Sequence, residues 1–112
     1  MPGYKIKRNN KKFYFVLFPT NSNTQELGKS IEYDSESECV DAIEQFRSIV
    51  KINKIDSINS DYVVYDKCSN MKIMNENKRI IFITRNTYSN RTKRASSNTI
   101  NSIYRNIDAE IK

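Results

Sequence analysis

The chain has 112 residues, 38% hydrophobic and 29% charged, with 19 Lys and Arg against 13 Asp and Glu for a net charge of +6, and no histidine. That length suits a single domain, 1–112, able to bury roughly two thirds of its unfolded surface, and seven Tyr, five Phe and fifteen Ile exclude a disordered segment. The longest apolar run, FYFVLF, is far short of the ~18 residues that cross a bilayer, and no signal-peptide pattern opens the chain, so a soluble cytoplasmic protein with no membrane contact is expected.

YKIKR at 4–8 alternates apolar and basic residues, which predicts a strand, and RNNKK reads as a tight turn because Asn tolerates a left-handed backbone. FYFVLF at 13–18 is the next strand, with Phe13, Phe15 and Leu17 on one face and Tyr14, Val16 and Phe18 on the other. Both faces are apolar, so one is expected against a helix and the other against something else, such as a second subunit. PTNSNT breaks the run and QELGKSIEY at 25–33 supplies a third strand. Ser35 and Glu38 have capping-box spacing, and Cys39, Ile43, Phe46 and Val50 follow at helical spacing. Ile49, Ile52, Ile55 and Ile58 recur every third residue, and KINKIDSINS reads as a linker with anchors.

The order then repeats. DYVVYD is strand-like, KCSN turns, MKIM is a short strand, NEN turns, and KRIIFITRNTY is a third strand ending at Tyr88. Ile100, Ile103, Ile107 and Ile111 with Tyr104 mark an amphipathic helix. The chain thus reads as two β-β-β-α units, repeat one at 4–52 and repeat two at 61–112, joined by a linker at 53–60.

Charge is unevenly spread. Residues 1–25 hold five bases and no acid, 26–44 hold seven acids against Lys29, and 67–94 hold eight bases against Glu76. Abundant Asn, Ile and Lys match the codon drift of an AT-rich genome, which supplies Lys without a polyanionic partner; the seven Arg are less easily assigned to it.

These features resemble the YegP-like family of small bacterial proteins built from two tandem β-β-β-α units. The likeness rests on KFYFVL followed by SIEYDSESECVDAI, against a family habit of F-x-F-x-L and then Y-x-S-K-x-x-A-x-x-G-I. Phe13, Phe15 and Leu17 match the strand, and Tyr33, Ser35 and Ile43 the helix entry; Glu36, Cys39 and Ala42 stand where lysine, alanine and glycine are usual. In the second unit Tyr88 fits, Ile100 lies two residues further on, and MKIM replaces the aromatic strand. The resemblance implies an α+β fold, one antiparallel sheet backed by two helices, with the halves related by a pseudo-twofold and exchanging strands. It supplies no catalytic residues, the family's function being uncharacterised.

Enzyme chemistry finds no support in the residues. There is no histidine for general-base work, no GxSxG elbow or P-loop, and only Gly3 and Gly28 for a phosphate cradle. Cys39 and Cys68 lack metal-ligand spacing and are expected as free thiols, a disulfide being the alternative. No cofactor and no metal site is expected. Tyr33 and Tyr88 occupy equivalent places before the helices, where phenols near helix N-termini suit anions, although a ring stapling strand to helix is the plainer role. Arg85, Arg91, Lys93 and Arg94 surround Tyr88 and form the candidate anion or nucleic-acid site, since Arg forks suit phosphate and interleaved aromatics suit bases; a solvated charged loop is the plain alternative. Lys5, Lys7, Arg8, Lys11 and Lys12 form a secondary basic patch.

The function expected is a non-enzymatic binding module for an anionic partner, nucleic acid or nucleotide. The alternative is a protein-interaction module, whether homodimer, adaptor or inhibitor of a host protein, using Tyr14, Val16 and Phe18.

Overall fold

The computed structural model describes residues 3–19, 25–65, 71–84 and 93–112, the side chains of the last segment from Ser96 onward. The first hairpin follows from its turn: Asn10 takes φ 59° between β1 (Gly3–Asn9) and β2 (Lys12–Phe18), which pair antiparallel from Gly3↔Phe18 to Asn9↔Lys12.

The strand expected over 25–33 is cut to β3 (Gly28–Ser30). Ser30 Oγ accepts the Phe15 N–H at 2.9 Å and donates to the Ile31 carbonyl at 2.8 Å, so a side chain takes a ladder position and pairing resumes only where Tyr33 meets Phe13. Gly28 is required here, because a Cβ would lie 2.5 Å from both the Ile83 carbonyl oxygen and the Phe82 ring.

Helix α1 (Glu36–Ile52) begins where the capping box places it. Ser35 Oγ accepts the Glu38 N–H at 3.1 Å, and Glu38 reaches back to the Asp34 N–H. Cys39, Ala42, Ile43, Phe46 and Val50 are its buried stripe. The triplet periodicity through Ile58 does not extend the helix: Ile52 is 77% exposed, and the chain closes in a Schellman turn with Lys54 at φ 48°. In that turn the Ile55 N–H bonds the Val50 carbonyl at 3.0 Å and the Lys54 N–H bonds the Lys51 carbonyl at 3.3 Å, with Ile55 fully buried.

The second unit contributes β4 (Val63–Val64), β5 (Lys72–Met74), β6 (Ile80–Thr84) and α2 (Lys93–Arg105). DYVVYD forms only two strand residues, because the Val63 N–H is taken by the Ser60 turn carbonyl and Tyr62 offers only its carbonyl, to Met74. Between β5 and β6, Asn75 Oδ1 accepts the Asn77 and Arg79 N–H groups and Lys78 takes φ 65°. Ile107 and Ile111 do not continue α2. Asn106 stops it by donating both its N–H and its Nδ2 to the Ser102 carbonyl, and Ile111 instead bridges Tyr4 in parallel. The turns expected at PTNSNT and KCSN lie largely outside the described residues.

All six strands form one antiparallel sheet in the order β1-β2-β3-β6-β5-β4, an α+β fold. The exchange of strands that the resemblance implies is not its arrangement. Each unit keeps its own three strands, and the units meet at the β3·β6 seam. What crosses over is residues 110–112, whose Glu110 carbonyl accepts the Tyr4 N–H and whose Lys112 N–H bonds the Tyr4 carbonyl, both at 2.7 Å, sealing the β1 edge. Phe46 of α1 stacks on Phe82 (4.6 Å) and contacts Phe15 (5.6 Å), so one helix covers aromatics from both units. Ile100 and Ile103 of α2 join the same core, so both helices back one face.

The repetition also survives in polar details. Thr84 ends β6 as Ser30 ends β3, its Oγ1 accepting the Met71 N–H at 3.0 Å, and Asn53 closes α1 through the Ile49 carbonyl as Asn106 closes α2.

Candidate anion-binding face

With the helices on one side, strand alternation sends the other half of the residues to the opposite, helix-free face. The pairings carry one row across the whole sheet: Lys5↔Val16, Val16↔Lys29, Lys29↔Ile83, Ile83↔Lys72 and Lys72↔Val64. Lysine therefore alternates with a β-branched aliphatic residue over six strands. Neighbouring strands lie about 4.8 Å apart, so successive lysines of the row stand on backbones about 9.6 Å apart and the row from Lys5 to Lys72 spans about 19 Å. One step along β1 and β2, Lys7 faces Tyr14. Val16 is 2% exposed, whereas Ile31 and Val64 on this face are 39% and 41% exposed.

The outer surface of α1 has the opposite sign. Glu36, Glu38, Asp41 and Glu44 of α1 are all exposed, while the α1 bases are engaged: Arg47 with Glu44, and Lys51 with Asp108 at 3.0 Å. On the sheet face none of Lys5, Lys7, Lys29 and Lys72 forms an ion pair with a described residue. Lysines with no ion-pair partner among the described residues, set over an apolar floor, attract anions.

The expected secondary basic patch divides. Lys5 and Lys7 face outward, but Arg8 points to the helix side, its guanidinium 5.8 Å from the Phe13 ring centre. Lys11 lies in the turn, and Lys12 is held by Asp34, whose carboxylate raises the Lys12 pKa through their hydrogen bond. Of the interface candidates, Val16 offers no accessible surface, and Tyr14 and Phe18 are half-buried. Arg85, Tyr88 and Arg91 lie outside the described residues, as do the side chains of Lys93 and Arg94 and the whole of Cys68.

Tyr33 is half-buried against the core, and burial raises its pKa, followed by the charge of Cys39, which matches the stapling role. Cys39 is a free, buried thiol pushed up to about 11 by burial and by Glu36. A cleft of about 290 Å³ is lined by Asn53, Asp56, Ser57 and Asp61 at the linker, and two smaller ones border α1. Among the described residues no three His, Cys, Asp or Glu side chains gather as a metal site, and no helix is long and apolar enough to cross a membrane.

Lys29 and Lys72 were missed as site residues by sequence reasoning. In LGKS and MKIM each is a single lysine in a short strand; strand parity places both opposite the core, but only the register brings them into one line.

No protein-family model and no curated protein matches the chain. Among solved structures it is similar to a UPF0339 protein from Shewanella oneidensis determined in solution by NMR, with a TM-score of 0.73 over 98% of this chain and 88% of that one, at 20% identity. That likeness shows the α+β fold, one antiparallel sheet with two helices.

Proposed function

We propose that this chain is a non-enzymatic binding module for an anionic partner, nucleic acid or nucleotide. The observation that supports the reading is the set of lysines on the helix-free face, Lys5, Lys7, Lys29 and Lys72, none of which forms an ion pair with a described residue, set against the exposed carboxylates of α1. Arg85, Tyr88, Arg91, Lys93 and Arg94, which follow the central strand β6 in the chain, are proposed as further anion contacts. The test is fluorescence anisotropy of the purified protein with labelled single- and double-stranded oligonucleotides over a salt series. Micromolar or tighter binding that weakens steeply with salt is expected, because each phosphate contact releases counterions. Salt-insensitive binding, or none at low salt, refutes it.

A second reading, a homodimer or adaptor through Tyr14, Val16 and Phe18, draws on the exposed Ile31 and Val64 of that face. It expects a concentration-dependent dimer in sedimentation that Phe18→Asp abolishes.

A further inference from the structure

We infer that the partner is a single-stranded nucleic acid whose backbone crosses the strands of the helix-free face along Lys5, Lys29 and Lys72. This rests on the anionic-partner reading and narrows it. Three features select among polyanions. A mononucleotide gathers its phosphates at one point, whereas Lys5, Lys29 and Lys72 are spread over about 19 Å. A duplex presents a convex rod of phosphates, which meets a broad sheet along a line and leaves Tyr14, Ile31 and Val64 idle. An unpaired strand can place phosphates over the alternate lysines while its bases lie on Tyr14, Ile83 and Val64, the partly exposed apolar side chains between and beside them.

The geometry suits that partition. Lysines on alternate strands, about 9.6 Å apart, are separated by Val16 and Ile83, and Tyr14 lies about 7 Å along β2 from the row, next to Lys7. No Asp or Glu occupies an outward position of β1, β2, β3 or β5. Glu32 and Asp34 stand toward the β1–β2 turn, where they hold Asn9 and Lys12, so a polyanion is repelled from that end of the face toward the row Lys5–Lys29–Lys72.

The test uses the full chain with fluorescein-labelled oligothymidylate, a duplex of equal length and ATP. Three or four phosphate contacts predict a roughly twentyfold to fiftyfold loss of single-strand affinity between 50 and 200 mM salt, at about 0.7 in log–log slope per phosphate. Lys29→Gln and Lys72→Gln are each expected to weaken binding severalfold and flatten the slope by about 0.7, with Lys29→Arg restoring it. Lys51→Gln, on the helix side, is expected to change nothing. Tyr14→Leu is expected to weaken the single strand at least about fivefold and leave the duplex unchanged; circular dichroism of each variant verifies the fold.

Tight binding that ignores Lys29→Gln and Lys72→Gln but is lost in Arg91→Gln or Arg94→Gln overturns this path and leaves the anionic-partner reading standing. Equal or tighter binding of duplex or ATP overturns the single-strand assignment. A stable dimer that oligothymidylate does not dissociate assigns the face to a second copy and overturns it as well. Absence of binding by all three at low salt overturns both readings.

Discussion

Tyr4→Phe isolates one hydrogen bond that closes the molecule on itself. The Tyr4 hydroxyl donates to the Ile107 carbonyl at 2.6 Å, across 103 residues of chain, and Tyr4 and Ile107 are 0% and 4% exposed. Phenylalanine keeps the edge contact to Phe15 at 5.6 Å and the Arg47 guanidinium 5.0 Å from the ring centre, so packing is retained while a buried carbonyl loses its donor. Leaving such a group unsatisfied costs about 1–3 kcal/mol. At this chain length each kcal/mol lowers Tm by roughly 4 °C. Urea denaturation followed by circular dichroism is expected to show a lower midpoint with an unchanged m-value, while Tyr62→Phe stays within about 0.5 kcal/mol of wild type. Burial also holds the Tyr4 pKa well above its ordinary value of 10, against the opposing pull of Arg47. The folded state therefore binds this proton more tightly than the unfolded chain. The stabilisation is complete below pH 10 and falls above it, so the difference between wild type and Tyr4→Phe should narrow at alkaline pH. A midpoint equal to wild type at pH 7 would refute the view that this bond fastens residues 107–112 to the first unit.

Three further outcomes are expected. Lys54→Gly should raise stability by about 0.5–1 kcal/mol in urea titration, because the Schellman turn holds Lys54 at φ 48°, where glycine is unstrained; a loss would show that the Lys54 side chain matters more than its backbone. Ser30→Ala and Thr84→Val should each cost about 1–3 kcal/mol by stranding the Phe15 and Met71 N–H groups, and a large effect at only one would count against the equivalence of the two strand ends. In a Cys68→Ser background Cys39, fully buried with its thiol pushed up to about 11, should react with a disulfide reagent only as fast as the protein unfolds, and immediate labelling at pH 8 would contradict its burial.

Several elements were legible because their information is local. Asn10 marked its turn, the Ser35–Glu38 pair opened α1 where it occurs, and the spacing of Cys39, Ile43, Phe46 and Val50 named its buried stripe. Where local pattern and tertiary context disagreed, context prevailed. Ile107 and Ile111 continue the apolar period of α2, yet Asn106 takes the Ser102 carbonyl and Ile111 pairs with β1. Ser30 lies inside a plausible strand, yet its hydroxyl replaces the ladder bond to Phe15.

The candidate site divides along the same line. Lys5 and Lys7 were marked by the clustering of bases in the first hairpin, whereas nothing near Lys29 or Lys72 in the chain distinguishes them from solvated lysines. The sequence by itself determined the order of elements, the two-unit repeat and the apolar faces, because turns, caps and periodicity act over a few residues. Only the tertiary structure decided that residues 5, 16, 29, 83, 72 and 64 share one row, since that alignment depends on five pairings at once, including the seam between β3 and β6.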